Sequence, residues 1–515
     1  MSSIVCSPSC VRALAVAAFV SASATASASA SDGLPTALFT TGAQNALSVV
    51  PGSGGAVLTS VTQARLRLSR TGSWWALTAF ATGQPSTNDT FILVGDGSGV
   101  VYAVGETTTL PGLDVGFTAI PNAQLGVNES GAVAFKATTT AASPSANDAV
   151  VKNSAAGGSF TVVALEGTPV PGIPGETFGG TMDSITLFDD GSVVHRASGT
   201  QGSLPSTADD LLRFDAPSSI LLQAGSVVPT GQFGGTTAPI VGINDEAFVA
   251  EDRTSFLADV ELGLSSNSRA FVVRNGTGPL VVAVQRGAPI PGLDGELPYS
   301  GGSPVDFGVM GPGGDWAVWG AGSGGTAYAI RNGELYLREG DPIPGGDPGE
   351  TIVSIGHLAI NSFGHTAWAA TTTSNRTVIV VDRFDGAPTL AVRSFGSISE
   401  ITTATQVDFD ADGLLDDAFV GFVVDVNLGL ADDGRLFFLA RCTASATLLN
   451  VGDALIVVPT ALSCPADLDA SGAVDAADLA VLLGGWANPG PTDLDGNGST
   501  GGEDLAVLLG AWGDC

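Results

Sequence analysis

The feature that most restricts this chain is a long-period internal repeat. Pro-Gly turns fall at Pro51-Gly52, Pro111-Gly112, Pro171-Gly172, Pro291-Gly292 and Pro344-Gly345, with a degenerate copy at Pro229-Thr230-Gly231. Successive turns are therefore spaced almost evenly along the chain. The lead-in recurs as well, in Glu166 to Pro171, Arg286 to Pro291 and Glu339 to Pro344. Further along each unit comes a polar turn and then an apolar run. It is clearest at Asn128 to Phe135, Asp189 to Val194, Asn244 to Phe248 and Asn361 to Trp368. Weaker copies run Gly72 to Ala76, Gly314 to Trp319 and Asp432 to Phe438, making seven. The runs are short, rich in Val, Ala, Phe and Trp, and bounded by Gly, Asn and Asp, which is strand chemistry. The 70 glycines suit many turns between short strands. A unit of this length holds four strands and their loops, so the expected body is mainly β, a seven-bladed β-propeller-like repeat. The competing architecture is a row of two or three β-sandwiches. Gly452 to Pro459 reads as an eighth lead-in that pairs with the first blade and closes the ring.

Charge narrows the function. Acidic residues outnumber basic ones by 51 to 19, a formal charge of −32. Such a surface repels nucleic acid and anionic lipid and suits cations or a salty exterior. The first thirty residues read as a secretory signal: Arg12, an apolar stretch from Ala13 to Val20, then small residues from Ser21 to Ser31. Cleavage after Ala26, Ala28 or Ala30 is expected, and the protein is expected to be secreted or at the cell surface. No later run reaches the roughly 20 apolar residues of a membrane span.

A second repeat, of shorter period, occupies the C-terminal tail, where Asp467 to Asp478 recurs as Asp493 to Asp504. Both segments fit a twelve-residue calcium loop, in which a hard cation gathers six to eight oxygens. Positions 1, 3 and 5 are Asp467, Asp469 and Ser471, then Asp493, Asp495 and Asn497. Gly472 and Gly498 supply the sharp turn, and Ala473 and Ser499 a backbone carbonyl. Asp478 and Asp504 close the loops. Asp475 serves at position 9 of the first loop, where the second has Gly501. A short helix is expected after each loop, because Leu479, Leu482, Leu483 and Trp486 repeat as Leu505, Leu508, Leu509 and Trp512, one apolar stripe each. The two stripes are expected to pack on each other. No helix enters either loop, since Cys464-Pro465 and Pro489-Gly490-Pro491 precede them.

This doubled loop-and-exit-helix resembles a dockerin, in particular the Gly- and Cys-bearing type that anchors exported bacterial proteins. The resemblance covers Cys464 to Cys515 and implies two bound Ca²⁺ ions and a partner on the helix faces, cohesin-like or another protein. Cellulosomal dockerins carry hydroxyl residues just before the final loop acid, where this chain has Ala476-Ala477 and Gly502-Glu503. Cys464 and Cys515 bracket the tail. A disulfide between them would add about 4 kcal/mol by loop-closure entropy and leave Cys442 odd; Cys442 with Cys464 is the alternative. The repeats of the body resemble a propeller-like repeat of exported planctomycete-type proteins, which implies no activity. The organisation expected is a signal peptide (1–30), a propeller-like body (31–460) and a small α-helical calcium-binding domain (461–515).

Catalytic motifs are missing from the sequence. His195, His357 and His365 sit in no metal or triad pattern, and no nucleophile elbow, zinc-protease helix or phosphate loop occurs. Asp408, Asp410, Asp412 and Asp416 make a third candidate metal loop with Phe419 at the closing position, where Asp417 would have to help. Trp74, Trp75, Trp316 and Trp319 offer either a sugar platform or strand core, with core favoured. The leading expectation is an exported non-enzymatic propeller that binds a ligand or partner, a polysaccharide among the candidates. A polysaccharide lyase or glycoside hydrolase, and a structural envelope protein, are the alternatives.

Overall fold

A computed structural model describes residues 34–42, 46–61, 66–82, 89–106, 108–110, 115–120, 125–140, 147–215, 218–230, 236–264, 269–290, 292–293, 306–382, 388–445, 450–460, 466, 468, 473–488, 492–494, 499–510 and 512–514. Seven antiparallel sheets follow one another along the chain as blades of a propeller. Blade 1 covers 57–105, blade 2 109–165, blade 3 181–223, blade 4 227–285, blade 5 306–338 and blade 6 352–393. Blade 7 covers 419–459 together with Thr36–Thr40.

The ring closes differently from the sequence expectation. Asn450–Pro459 does not join blade 1. It is the third strand of blade 7, and the N-terminal Thr36–Thr40 adds to it as the fourth, pairing Thr36 with Val457 and Thr40 with Ala454. A chain end locked into the last sheet ties the first blade to the seventh.

The apolar core is divided among the blade interfaces. Seven buried clusters each join two neighbouring sheets, and the set runs round the ring, including blade 7 to blade 1 through Phe39, Trp75, Phe437 and Leu455. A row of separate sandwiches would lack that last interface. Because the second strand of each blade is covered on both faces, its sequence is largely apolar, as in Trp316–Ala321, and where a charge enters, as at Asp259 in Phe256–Leu262, it is paired, here with Arg269. Outer strands such as Glu334–Arg338 are largely open to water and carry mixed residues.

One turn recurs seven times between the first and second strands. The N–H of Gly72, Gly131, Gly191, Arg253, Gly314, Gly364 and Gly434 each donates to the carbonyl three residues back, at 2.9–3.2 Å. All seven residues have left-handed backbones. In blade 4 the expected turn at Asn244 is absent. Asn244 lies inside the 14-residue strand Thr236–Val249, at an irregularity between Ile243 and Ala247. The turn itself lies at Ala250 to Ser255, with Arg253 where the other blades have glycine.

In the tail, α1 (Ala476–Gly484) and α2 (Gly502–Gly510) are nine residues each. They pack through Leu482 and Leu508, with Leu479 and Leu505 partly buried beside them. Contrary to the expectation from their spacing, the stripes do not pack whole: Leu483, Trp486, Leu509 and Trp512 face solvent. Two helices this short can bury only one line of contact. No described helix is long and apolar enough to cross a membrane.

Candidate functional site

Three places collect chemistry. The first is the tail. Asp467, Asp469, Ser471, Asp495, Asn497, Cys464 and Cys515 lie outside the described residues. Of the remainder, Asp478 and Asp504 are fully buried at the third position of their helices. Asp478 accepts the Asp475 N–H at 2.7 Å, and Asp504 accepts the Gly501 N–H in the same way. Asp475 caps α1 by accepting the Ala477 N–H, completing a reciprocal capping box. Asp493 is buried and Ser499 exposed. Ala473 lies in a two-residue strand, Ala473–Val474, paired with Gly513–Asp514. The exposed apolar residues come in pairs related by the tail's repeat: Val481 with Val507, Leu483 with Leu509, Trp486 with Trp512.

The second is the acidic loop at 408–416. Carboxylate oxygens of Asp408, Asp410 and Asp416 lie within 4.8 Å of one another. Asp412 is turned aside to accept the Leu414 N–H at 2.9 Å. Asp408 is buried and accepts the N–H groups of Asp412 and Gly413, while Asp416 accepts those of Phe409 and Asp410. Burial first, then the neighbouring carboxylates, raise the pKa of Asp408 and Asp410 above the usual range, against the N–H donors that favour ionisation. Asp417 does not join them; it accepts from Ser445. The loop is docked on the ring closure, since the Asp408 N–H donates to the Pro35 carbonyl and its own carbonyl accepts from Ala37, both at 2.9 Å.

The third is the axial channel, a cavity of about 260 Å³ lined by the innermost strands of all seven blades. Its lining mixes apolar residues such as Phe248, Val309 and Ala359 with Arg67, Thr186, Glu246 and His357. At one mouth Phe307, 41% exposed, stacks on Trp319 at 5.8 Å, and His357 meets Trp319 edge-on at 5.3 Å. At the other mouth stand the seven turns. The second residue of each, in blade order, is Arg70, Glu129, Asp189, Glu251, Pro312, Ser362 and Asp432. Several of these lock neighbouring turns together. Glu129 accepts the Thr71 N–H and hydroxyl at 2.6 Å, Asp189 accepts the Glu129 N–H at 2.9 Å, and Asp432 accepts the Ser362 N–H at 2.8 Å. Blades 3 and 4 are joined instead by the Arg253–Asp190 ion pair at 2.7 Å. The N–H and hydroxyl of Ser192, and then Arg253, hold the Asp190 pKa down at about 2. This ring was not singled out from the sequence. The turn alignment contained it, but blade 4 broke the glycine signal.

Comparison with known proteins follows from this fold. A family profile matches residues 17–302, more than half of the chain. The chain belongs to the DUF7453 family, a family of unknown function. The DUF7453 match covers the closing strand and the first four blades. No curated protein matches the sequence. Among solved structures, the polysaccharide lyase Uly1 is similar with a TM-score of 0.39 at 9% identity, over 83% of this chain and 97% of that one. TolB from Acinetobacter baumannii gives 0.32 at 12%, over 62% of this chain and 65% of its own. The Dos1 propeller gives 0.31 at 11%, over 78% and 93%. At these scores the likenesses carry no inference about function.

The remaining candidates resolve as structure. Trp75, Trp316 and Trp319 are buried at three different blade interfaces and Trp74 is partly buried between blades 1 and 2, so they form no exposed platform. His195 is buried beside Phe178, and burial followed by the Arg213 charge pushes its pKa down to about 4. His365 follows the blade 6 turn. Cys442 is a fully buried thiol in blade 7, its pKa pushed up to about 12 by burial.

Proposed function

We propose that this is an exported propeller that binds a ligand or partner without catalysis and is held or assembled through a calcium-dependent C-terminal tail. The observation that carries the reading is the doubled apolar surface of the tail. Val481, Leu483 and Trp486 recur as Val507, Leu509 and Trp512, all more than 40% exposed. Exposed tryptophans set beside leucines are what a protein partner would anchor on. Asp478 and Asp504 are buried at the ends of two loops whose sequence fits calcium, and metal there would couple to tail folding. The sequence of residues 1–30 supports export.

The partner expected is cohesin-like or another surface protein. The test uses the full chain as bait against envelope and culture-fluid proteins. A partner retained in calcium, released by a chelator and lost in the Trp486→Ala/Trp512→Ala double variant supports the reading. Retention that ignores both the chelator and the double variant overturns the anchor. Turnover of a polysaccharide by the full chain overturns the non-catalytic part.

A further inference from the structure

One tripeptide occurs twice, at the same place in neighbouring blades. Arg274-Asn275-Gly276 ends the third strand of blade 4, Arg269–Arg274, and Arg331-Asn332-Gly333 ends that of blade 5, Ala327–Arg331. Each asparagine stands in the turn that leads to the outermost strand of its blade. An asparagine side-chain amide is open to attack by the next backbone nitrogen, and most so before glycine, which has no Cβ to obstruct the approach. With arginine before and glycine after in both copies, the two asparagines have nearly the same intrinsic reactivity. Any large difference between them in the folded chain must come from structure.

Asn332 is clamped. Its Oδ1 accepts the Trp316 N–H at 3.0 Å, and its Nδ2 donates to the Asp315 carboxylate. Its own N–H donates to the Trp316 carbonyl at 3.0 Å, and its backbone is left-handed at φ +50°. Its side chain cannot turn onto the Gly333 nitrogen without giving up both side-chain bonds. Asn275 is exposed, and among the described residues only its backbone carbonyl is bonded, accepting the Gly278 N–H at 3.0 Å. The one restraint is on the attacking nitrogen. The Gly276 N–H donates to Ser255 Oγ at 2.7 Å, and that hydroxyl donates to the Asp252 carboxylate.

We propose that Asn275 is a site of spontaneous modification, deamidated in the folded protein while Asn332 is spared. The Gly276 nitrogen loses its proton to hydroxide and attacks Asn275 Cγ. The N–Cγ bond forms, the Cγ–Nδ2 bond breaks, and Nδ2 leaves as ammonia with a proton taken back from water. The product is a succinimide ring. Water opening the ring at Cγ gives aspartate, and opening it at the backbone carbonyl carbon gives isoaspartate. In sum one water is consumed and one ammonia released, with nothing oxidised or reduced. Either product adds a negative charge. Isoaspartate also puts one more carbon into the main chain ahead of Gly276, which draws its N–H off Ser255. Ser255 closes the blade 4 turn by accepting the Ala250 N–H at 3.0 Å, so the change reaches the one turn in which Arg253 replaces glycine.

The experiment incubates the full chain at pH 8, folded and in urea, and follows both asparagines by peptide mass spectrometry with isoaspartate resolved by chromatography. In the folded chain Asn332 must give up two side-chain bonds, one of them to a carboxylate, and Asn275 only the bond from Gly276 to Ser255. Asn275 should therefore convert about tenfold faster. In urea the two rates should converge. Ser255→Ala removes the restraint and should speed Asn275 about fivefold while leaving Asn332 as slow as in wild type. Asn332 is thus an internal check that the variant is folded, and the comparison of folded with unfolded wild type needs no mutation. Equal rates in the folded chain, a faster Asn332, a gap that persists in urea, or an Asn275 rate unchanged in a folded Ser255→Ala each overturns the proposal. None of these results touches the calcium-dependent tail, so the two readings fail separately.

Discussion

Two glycines at the same place in the same turn should respond very differently to a single methyl group. Gly131 in blade 2 and Gly191 in blade 3 both donate to the carbonyl three residues back, and both are left-handed, with φ of +68° and +80°. Alanine at either position meets the same backbone penalty, about 1–2 kcal/mol for an L-residue held in that region. Their surroundings differ. A Cβ on Gly191 would find nothing within 4 Å, whereas a Cβ on Gly131 would lie 2.7 Å from the indole ring of Trp74 in blade 1. Trp74 is half-buried between blades 1 and 2, so it cannot swing clear without opening that interface. Overpacking of this kind costs about 1–3 kcal/mol more. Gly191→Ala should therefore lose about 1–2 kcal/mol and Gly131→Ala about 2–5 kcal/mol. Urea unfolding followed by tryptophan fluorescence measures both against wild type, and an unchanged slope licenses the comparison. Equal losses, or a larger loss at Gly191, would refute the argument that the turns share one backbone and differ only in what packs on them.

Two further expectations concern ions and protons. Calcium at the 408–416 loop should slow hydrogen exchange of the Ala37 amide, which donates to the Asp408 carbonyl, and Asp410→Asn should remove that protection; exchange that ignores calcium counts against the loop as a metal site. His195, pushed down to about 4, favours the folded state above its ordinary pKa of 6.5 and loses that contribution as pH falls toward 4, about 3 kcal/mol over the window. Glu251, pushed up to about 7 by burial, titrates with the opposite sign, so the measurement is the difference in stability slope between wild type and His195→Gln from pH 6.5 to 4; parallel slopes would show that the buried imidazole is not the group responsible.

The propeller was legible because its repeat states the same physical demand seven times. Strands covered on both faces must be largely apolar, and left-handed turn positions favour glycine. Both demands leave marks in one-dimensional spacing. Legibility failed where another residue meets the demand. Arg253 adopts φ +59° and is held there by Asp190 and by the Phe188 ring beneath it, 5.1 Å away. With no glycine to mark the turn, the polar Asn244 to Glu246 stretch took its place in the reading. Ring closure was misplaced for a related reason. Asn450–Pro459 has the pattern of a strand needing a partner, but periodicity cannot say which chain segment supplies it.

In the tail, the internal repeat extends beyond the loops and helices to the bonds between them. The N–H of Ala487, just past α1, donates to Thr500, and the N–H of Thr500 donates to Asn488. Val474 and Ala473 hold the places in the first unit that Thr500 and Ser499 hold in the second, and Gly513 and Asp514 likewise correspond to Ala487 and Asn488. Val474 and Ala473 pair with Gly513 and Asp514 in the same sense. Each loop is thus bonded to the segment that follows the other helix. The exchange explains why the apolar stripes are not buried whole: the loops cross-brace the pair at its ends, so α1 and α2 need meet only along Leu479, Leu482, Leu505 and Leu508. Leu483, Trp486, Leu509 and Trp512 are thereby freed for the outer face. The same residues that made the stripe readable as a helix signal are therefore divided by the bracing into a core half and a surface half, and it is the surface half that the proposed partner would meet.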